Sequence, residues 1–274
     1  GIAVMHRRSC TAIITAIPLA LMFVSAALCT VSEEFHKTYT IPAGSPVTVR
    51  NKSGTTSVST WDQQVIDVRA VRHANKKNVG CGRSFLVVNT RKGLEIRTDA
   101  CDHSERPSFW ESLFNMHSYR DDRVDISIRL PRGSRLGEVL SESGDIIIDT
   151  VHVSGSLRSS SGDIHMEGVL GNCTVATESG NITAERCALM NVKSESGDIH
   201  LLETSVIRDV HSESGNILIE RTTGELSAES ESGDIRISTG IAGYPLMIGS
   251  ESGDIILSLP ASVNTDISLA TSSG

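Results

Sequence analysis

Aromatic residues are scarce in this 274-residue chain: two Trp, three Tyr and five Phe make up 4% of it. That shortage argues against a bulky globular core and against a sugar-binding face paved with ring platforms. Cations are nearly missing from the second half. Residues 1–140 hold 19 Lys and Arg against 13 Asp and Glu, a net +6, whereas residues 141–274 hold 6 against 20, a net −14. A phosphate backbone needs a basic stripe, so the acidic half is set against nucleic acid. No G-x-G-x-x-G and no Walker glycine loop is present, which removes the usual signals of nucleotide binding. Gly249-Ser-Glu-Ser-Gly253 has the outline of a nucleophile elbow, but Glu251 stands where the serine must be.

What is present is a repeat. S-x-S-G-[D/N]-I, with Thr once in the first place, recurs with its glycine at Gly144, Gly162, Gly180, Gly197, Gly215, Gly233 and Gly253, in steps of 18, 18, 17, 18, 18 and 20. A fixed period of this kind marks units that stack on one another. Two residues after each glycine stands Ile146, Ile164, Ile182, Ile199, Ile217, Ile235 or Ile255. Four after come Ile148, Met166, Ala184, Leu201, Ile219, Ile237 and Leu257, and five before come Val139, Leu157, Val175, Val192, Val210, Ala228 and Ile248. Apolar positions alternating with polar ones predict two short strands per unit, each with one buried face. About 18 residues leave no room for a crossover helix. The expected fold is all-β, a parallel β-solenoid with two strands per coil and like residues stacked about 4.8 Å apart. The glycine is expected to supply the backbone angles of a tight corner, with small serines such as Ser143 and Ser196 just before it.

The start of the chain reads differently. After Met5 come His6, Arg7 and Arg8, then an uncharged run from Ser9 to Ser32 with an apolar centre, ending in small residues Ser25-Ala26-Ala27. This is the order of a secretory signal, residues 1–29, with an uncleaved membrane anchor as the rival reading. Cys29 raises lipidation, against which bulky Leu28 stands. The repeat register returns early around Gly54, with Val49 five before and Val58 four after. Residues 30–138 are therefore read as an N-terminal part holding a first coil and an interruption. Within it Phe85–Val88, Leu94–Ile96 and Val124–Leu130 predict strands. His103–Asp122 carries Phe109, Trp110, Phe114 and Tyr119 at helical rather than alternating spacing, and is expected to be an irregular or helical insertion serving as a cap or as a contact surface.

Val47-Thr-Val-Arg-Asn-Lys-Ser-Gly54, Thr60-Trp-Asp62, Val124-Asp-Ile-Ser-Ile-Arg-Leu-Pro131 and the serial S-G-D-I together resemble a bacterial exported family described as an adhesin domain of otherwise unknown function. The resemblance runs from about Tyr39 to Gly274. It implies a β-helix-like domain at the cell surface or in the periplasm, and it carries over no catalytic residue.

Chemistry-bearing residues lie in rows. Asp145, Asp163, Asp198, Asp234 and Asp254 are expected to form one outward ladder, and Glu142, Glu178, Glu195, Glu213, Glu231 and Glu251 another. Stacked carboxylates invite a divalent cation, yet Asn181 and Asn216 occupy the first ladder and Ser160 the second. A short side-chain oxygen accepting a backbone N–H is what Asp and Asn share. His165 and His200 share a coil position two coils apart, too far to hold one metal. Cys81 and Cys101 bracket a predicted hairpin and are candidates for a disulfide; Cys173 and Cys187 read as small buried residues. No catalytic, cofactor-binding or metal-ligating residue is assigned, and no cofactor is expected.

The expectation is a non-enzymatic, exported envelope protein with a structural or adhesion-like role, its ligand a protein or glycan of the cell surface. The alternatives are a polysaccharide-binding or polysaccharide-active β-helix protein and an envelope-stress component. Residues 139–274 stop inside a corner with nothing to cap them, so the reading is of a truncated solenoid able to self-associate through its open last coil.

Overall fold

Short alternating runs with a glycine between them cannot bury a face alone, so they stack. The structure, a computed structural model, describes residues 8–9, 31–74, 84–90, 93–99, 123–188, 191–205, 207–240, 244–262 and 264–273. All regular elements among these are strands. In chain order they are β1 (Arg8–Ser9), β2 (Val31–Tyr39), β3 (Pro46–Ser53), β4 (Thr56–Trp61), β5 (Ile66–Ala74), β6 (Ser84–Thr90), β7 (Gly93–Asp99) and β8 (Arg123–Pro131). The repeats then supply a pair per coil: β9 (Arg135–Ser143) and β10 (Ile146–Asp149), β11 (His152–Ser159) and β12 (Ile164–Glu167), β13 (Thr174–Thr177) and β14 (Ile182–Glu185), β15 (Asn191–Ser194) and β16 (Ile199–Leu202). They continue with β17 (Asp209–Ser212) and β18 (Ile217–Thr222), β19 (Leu226–Ser230) and β20 (Ile235–Thr239), β21 (Leu246–Ser250) and β22 (Ile255–Ser258), and β23 (Ile267–Thr271).

Two sheets face each other. Sheet A runs β1-β2-β5-β8-β4-β10-β12-β14-β16-β18-β20-β22, and sheet B runs β23-β21-β19-β17-β15-β13-β11-β9-β3-β7-β6. Throughout the repeats the pairing is parallel and the register is the one the glycines predict. Ile146, Ile164, Ile182, Ile199, Ile217, Ile235 and Ile255 stack in sheet A. Val139, Leu157, Val175, Val192, Val210, Ala228 and Ile248 stack in sheet B. All are buried except Ile255 in the last coil. The result is a β-solenoid of about 7 turns with roughly 18 residues per coil.

Chain order and stacking order part at the N-terminal end. The coil of β3 and β4 is not the end of the stack. It lies between the coil of β7 and β8 on one side and that of β9 and β10 on the other. The chain makes its second layer first, leaves it through β5, and returns to build the layer beneath. Two changes of direction close that end: β5 runs antiparallel to β8 and β2, and β6 runs antiparallel to β7. Phe35 and Phe85, one from each sheet, meet there with ring centroids 4.9 Å apart. Antiparallel pairs thus replace the parallel ladder as the terminal layer, which blunts the edge. The segment His103–Asp122, read from the sequence as a cap or a contact surface, lies outside the described residues.

The repeat glycine has a different cause from the expected one. Gly162, Gly180, Gly197, Gly215, Gly233 and Gly253 are outside the left-handed region. A Cβ on any of them would lie 1.8 to 2.3 Å from the carbonyl oxygen of the glycine one coil earlier. Close approach of backbones, not backbone angle, excludes a side chain there. The left-handed corner is the second one, six residues after the glycine, where Thr150, Gly168, Arg186, Glu203 and Arg221 have φ between 52° and 61°.

At the opposite end, β22 and β23 each have a neighbour on one side only. Ile256, Ile267 and Leu269 there are 44%, 44% and 51% exposed.

Candidate functional site

The glycine corner is built from two side-chain positions, each stacked coil on coil. Ser141, Ser159, Thr177, Ser194, Ser212, Ser230 and Ser250, three before each glycine, are buried. Ser159, Thr177, Ser194, Ser230 and Ser250 donate to the carbonyl of the glycine one coil back at 3.2 to 3.3 Å. Ser194 and Ser212 also accept from their own coil's glycine N–H at 2.9 Å. In the β3–β4 coil Asn51 takes this place and donates to Gly54 O and Val124 O, both at 2.9 Å. The sequence reading passed over this position in favour of the exposed serine before the glycine. Its restriction to Ser, Thr and Asn was the available signal.

The Asp/Asn ladder is occupied by structural work. Each Oδ1 accepts the backbone N–H of the equivalent residue in the next coil: Asp145 from Asp163, Asp163 from Asn181, Asn181 from Asp198, Asp198 from Asn216, Asn216 from Asp234 and Asp234 from Asp254, at 2.7 to 3.0 Å. The interaction crosses between coils and does not close a turn within one. Among the described residues no three His, Cys, Asp or Glu side chains gather in a metal-sized group. His165 and His200 sit in one row with Thr183 between them, and His200 pairs with Glu220 at 3.1 Å. Cys173 and Cys187 are buried and unbridged; burial, and then the neighbouring Cys187 thiol, push the Cys173 thiol up to about 12. Cys10, Cys29, Cys81 and Cys101 lie outside the described residues, although Ser84 opposite Asp99 confirms the hairpin that the last two bracket.

The motifs that carried the family resemblance converge on one structural lock. Trp61 lies opposite Pro131 in the β4–β8 ladder and donates from Nε1 to Val65 O at 2.8 Å. The Arg129 guanidinium stacks 4.3 Å from its ring centroid and donates Nε and Nη2 to Asp67 at 3.1 and 2.7 Å. His36 meets the other oxygen of that carboxylate at 2.6 Å. Asp67 is 3% exposed as a side chain. Burial by itself raises its carboxyl, but hydrogen bonds from Arg129 and His36 outweigh that and hold it below the ordinary carboxylate range. A depressed folded value contributes stability above the unfolded value, near pH 4, that is lost as pH falls through the folded one. Asp67→Asn should therefore cost about 2 kcal/mol at neutral pH, and its stability should fall less than the native chain's on acidification below about pH 4. Urea unfolding at both pH values measures this; parallel losses in the two proteins would remove Asp67 as the cause.

An extended concavity lies on the described part of sheet B. It crosses the outer face of sheet B from β7 to β17 and encloses about 910 Å³. Its floor is a row four before each glycine. Arg97 pairs with Arg50, then Leu140, Arg158, Ala176 and Lys193 follow in register. Glu142, Glu178 and Glu195 stand along one side, each two residues on from the row, Glu142 within β9 and the other two just past the ends of β13 and β15. Arg50 pairs with Glu138 at 3.4 Å and Lys193 with Glu213 at 3.1 Å, both at the exposed surface. Arg158 is exposed and makes no ion pair among the described residues. The sequence showed only that cations are few in the repeats. The signal missed is register: Arg50, Arg158 and Lys193 are each four before a glycine.

No curated protein matches the sequence. Among solved structures, a candidate lipid-binding protein from Parabacteroides distasonis is 18% identical with TM-score 0.48, over 87% of this chain and 96% of its own. A candidate cell adhesion protein from Clostridium sporogenes is 10% identical with TM-score 0.35, over 84% and 100%. A candidate adhesin from Bacteroides fragilis is 16% identical with TM-score 0.34, over 87% and 96%. The Toastrack DUF4097 family matches residues 45–274, which contain both the repeats and the Trp61–Arg129 lock, and this chain belongs to that family.

Proposed function

We propose that the chain is an exported cell-envelope protein that acts by binding, as an adhesion-like or scaffold element, and not as an enzyme. The observation that carries this reading is the groove on sheet B: a long, open, charged surface on a stack whose interior is filled. Stacked backbones hold its side chains at fixed intervals, so a repeating partner meets them without reordering the surface. Export rests on the basic-apolar-small order of residues 5–27. Membrane contact is assigned to that segment alone, where it is retained uncleaved. No helix of the described residues is long and apolar enough to cross a membrane. The exposed Ile267 and Leu269 face is assigned to self-association.

The test is to express the whole chain with a C-terminal tag in a bacterial host, fractionate the cells, and offer the purified chain to envelope material. Recovery in the envelope fraction and retention on that material, weakened by charge reversal in the groove, is the expected result. Quantitative recovery in the cytosol with residues 1–29 intact, or retention indifferent to the groove, would overturn it.

A further inference from the structure

We infer that the sheet B groove binds a linear acidic glycan carrying one carboxylate per two sugars. The inference rests on the binding role proposed above and names its ligand class. Three geometric facts carry it.

The first is direction. The groove runs across the strands, along the stack, through seven consecutive strands from β7 to β17. At about 4.8 Å per rung this is a track of about 29 Å, suited to a chain polymer and not to a compact metabolite.

The second is interval. Arg50, Arg158 and Lys193 occupy alternate rungs, with Leu140 and Ala176 between them. Alternate rungs are about 9.6 Å apart, comparable to two pyranose rings in an extended chain. A carboxylate on every second sugar then meets a cation each time. An extended acidic peptide presents side chains on one face every 6.8 Å or so and falls out of step within two positions.

The third is the sign of the walls. Glu142, Glu178 and Glu195 line the side of the cation row, Glu142 paired with Lys52 at 3.0 Å and the other two facing the groove. A nucleic acid, with a charge every few ångströms, sets phosphates against these carboxylates as well as against the cations. A glycan with alternating charge presents neutral hydroxyls there, and hydroxyls donate to carboxylates. The dearth of aromatics fits a ligand held by charge-assisted hydrogen bonds. Arg158, central and without an intramolecular ion pair among the described residues, is the anchor; Arg50 and Lys193 exchange weak surface pairs for the ligand.

The experiment measures binding of hyaluronan oligosaccharides, whose sugars alternate uronic acid with a neutral amino sugar, to the full chain by calorimetry. Comparators are cello-oligosaccharides and a single-stranded oligodeoxynucleotide of matched length. Affinity for the acidic glycan should rise with length, level off near six sugars, the span of three alternate rungs, and fall with added salt. Arg158→Glu and, separately, Lys193→Glu should each weaken it about tenfold, with unchanged melting temperatures. Arg236→Glu, on sheet A, should leave it unaltered. Equal binding of the neutral glucan, tighter binding of the oligonucleotide, or indifference to Arg158→Glu would each overturn the assignment. If the glycan fails while envelope material is still retained through the groove, the ligand class falls and the binding role stands; if both fail, both fall.

Discussion

Gly197→Ala is expected to be among the most damaging single-methyl additions available in this chain, costing about 4 kcal/mol where an added methyl group ordinarily costs far less. Its Cβ would lie 1.8 Å from Gly180 O and 2.5 Å from the carbon of the same carbonyl. An unstrained carbon-to-oxygen contact needs about 3.3 Å, so the two coils would have to part by more than 1 Å. They are pinned on both sides of the corner. Before the glycine Ser196 N donates to Glu178 O at 3.0 Å; after it Ile182 N donates to Asp198 O and Asp198 N to Asn181 Oδ1, each at 2.9 Å. Relief therefore breaks hydrogen bonds in a buried corner, where Ser194 is also held between Gly180 O and Gly197 N. Gly240→Ala is the control, because nothing lies within 4 Å of the added carbon. In a stack with nearest-neighbour coupling the damage should be local first: hydrogen exchange should quicken in β13 to β18 before β9 or β10. Urea midpoints that coincide for the two variants would show that the glycine spine does not set the coil spacing.

That spine also marks how far the sequence could be read. The ladders of Ile199 and Val192 and the return of the register at Gly54 were legible, because burial on one face of a strand forces period two and a repeat forces a common phase. Val49 and Val58 do pair with Val139 and Ile148, across an interval of 90 residues. What was not legible is that β7 and β8 pass beneath that early coil. Strand pairing is non-local, and the patterns of Leu94–Ile96 and Val124–Leu130 suit any layer of the stack. The reason for the glycine was misassigned because a sequence shows a missing side chain and not the carbonyl that excludes it. The groove went unseen for a related cause. Arg50, Arg158 and Lys193 are far apart in the chain, and only counting each from its own glycine places them in one row.

Replacing Ile199 by Asp tests that row-by-row register most directly. Ile199 has no exposed surface and stacks between Ile182 and Ile217. Leu201 in the same strand and Val192 in sheet B belong with it to one buried apolar cluster. A carboxylate there has no cation or N–H to meet, since the neighbouring backbone donors already serve the ladder. The expected loss is about 4 kcal/mol or more at neutral pH. Burial raises such a carboxyl, so the penalty belongs to pH values above the unfolded value and should shrink as pH falls toward about 4. Asp198→Asn, one residue away, is the contrast. Asp198 is exposed and its Oδ1 accepts Asn216 N–H at 2.8 Å. Asn181 performs the same task for Asp198, and Asn216 for Asp234, so an amide oxygen suffices. That change should stay within about 0.5 kcal/mol, while Asp198→Ala, which leaves the Asn216 N–H without its acceptor, should cost about 1 kcal/mol. Thermal and urea unfolding of the three variants rank them. Equal damage from Ile199→Asp and Asp198→Asn would show that the assignment of 199 as inward and 198 as outward is wrong.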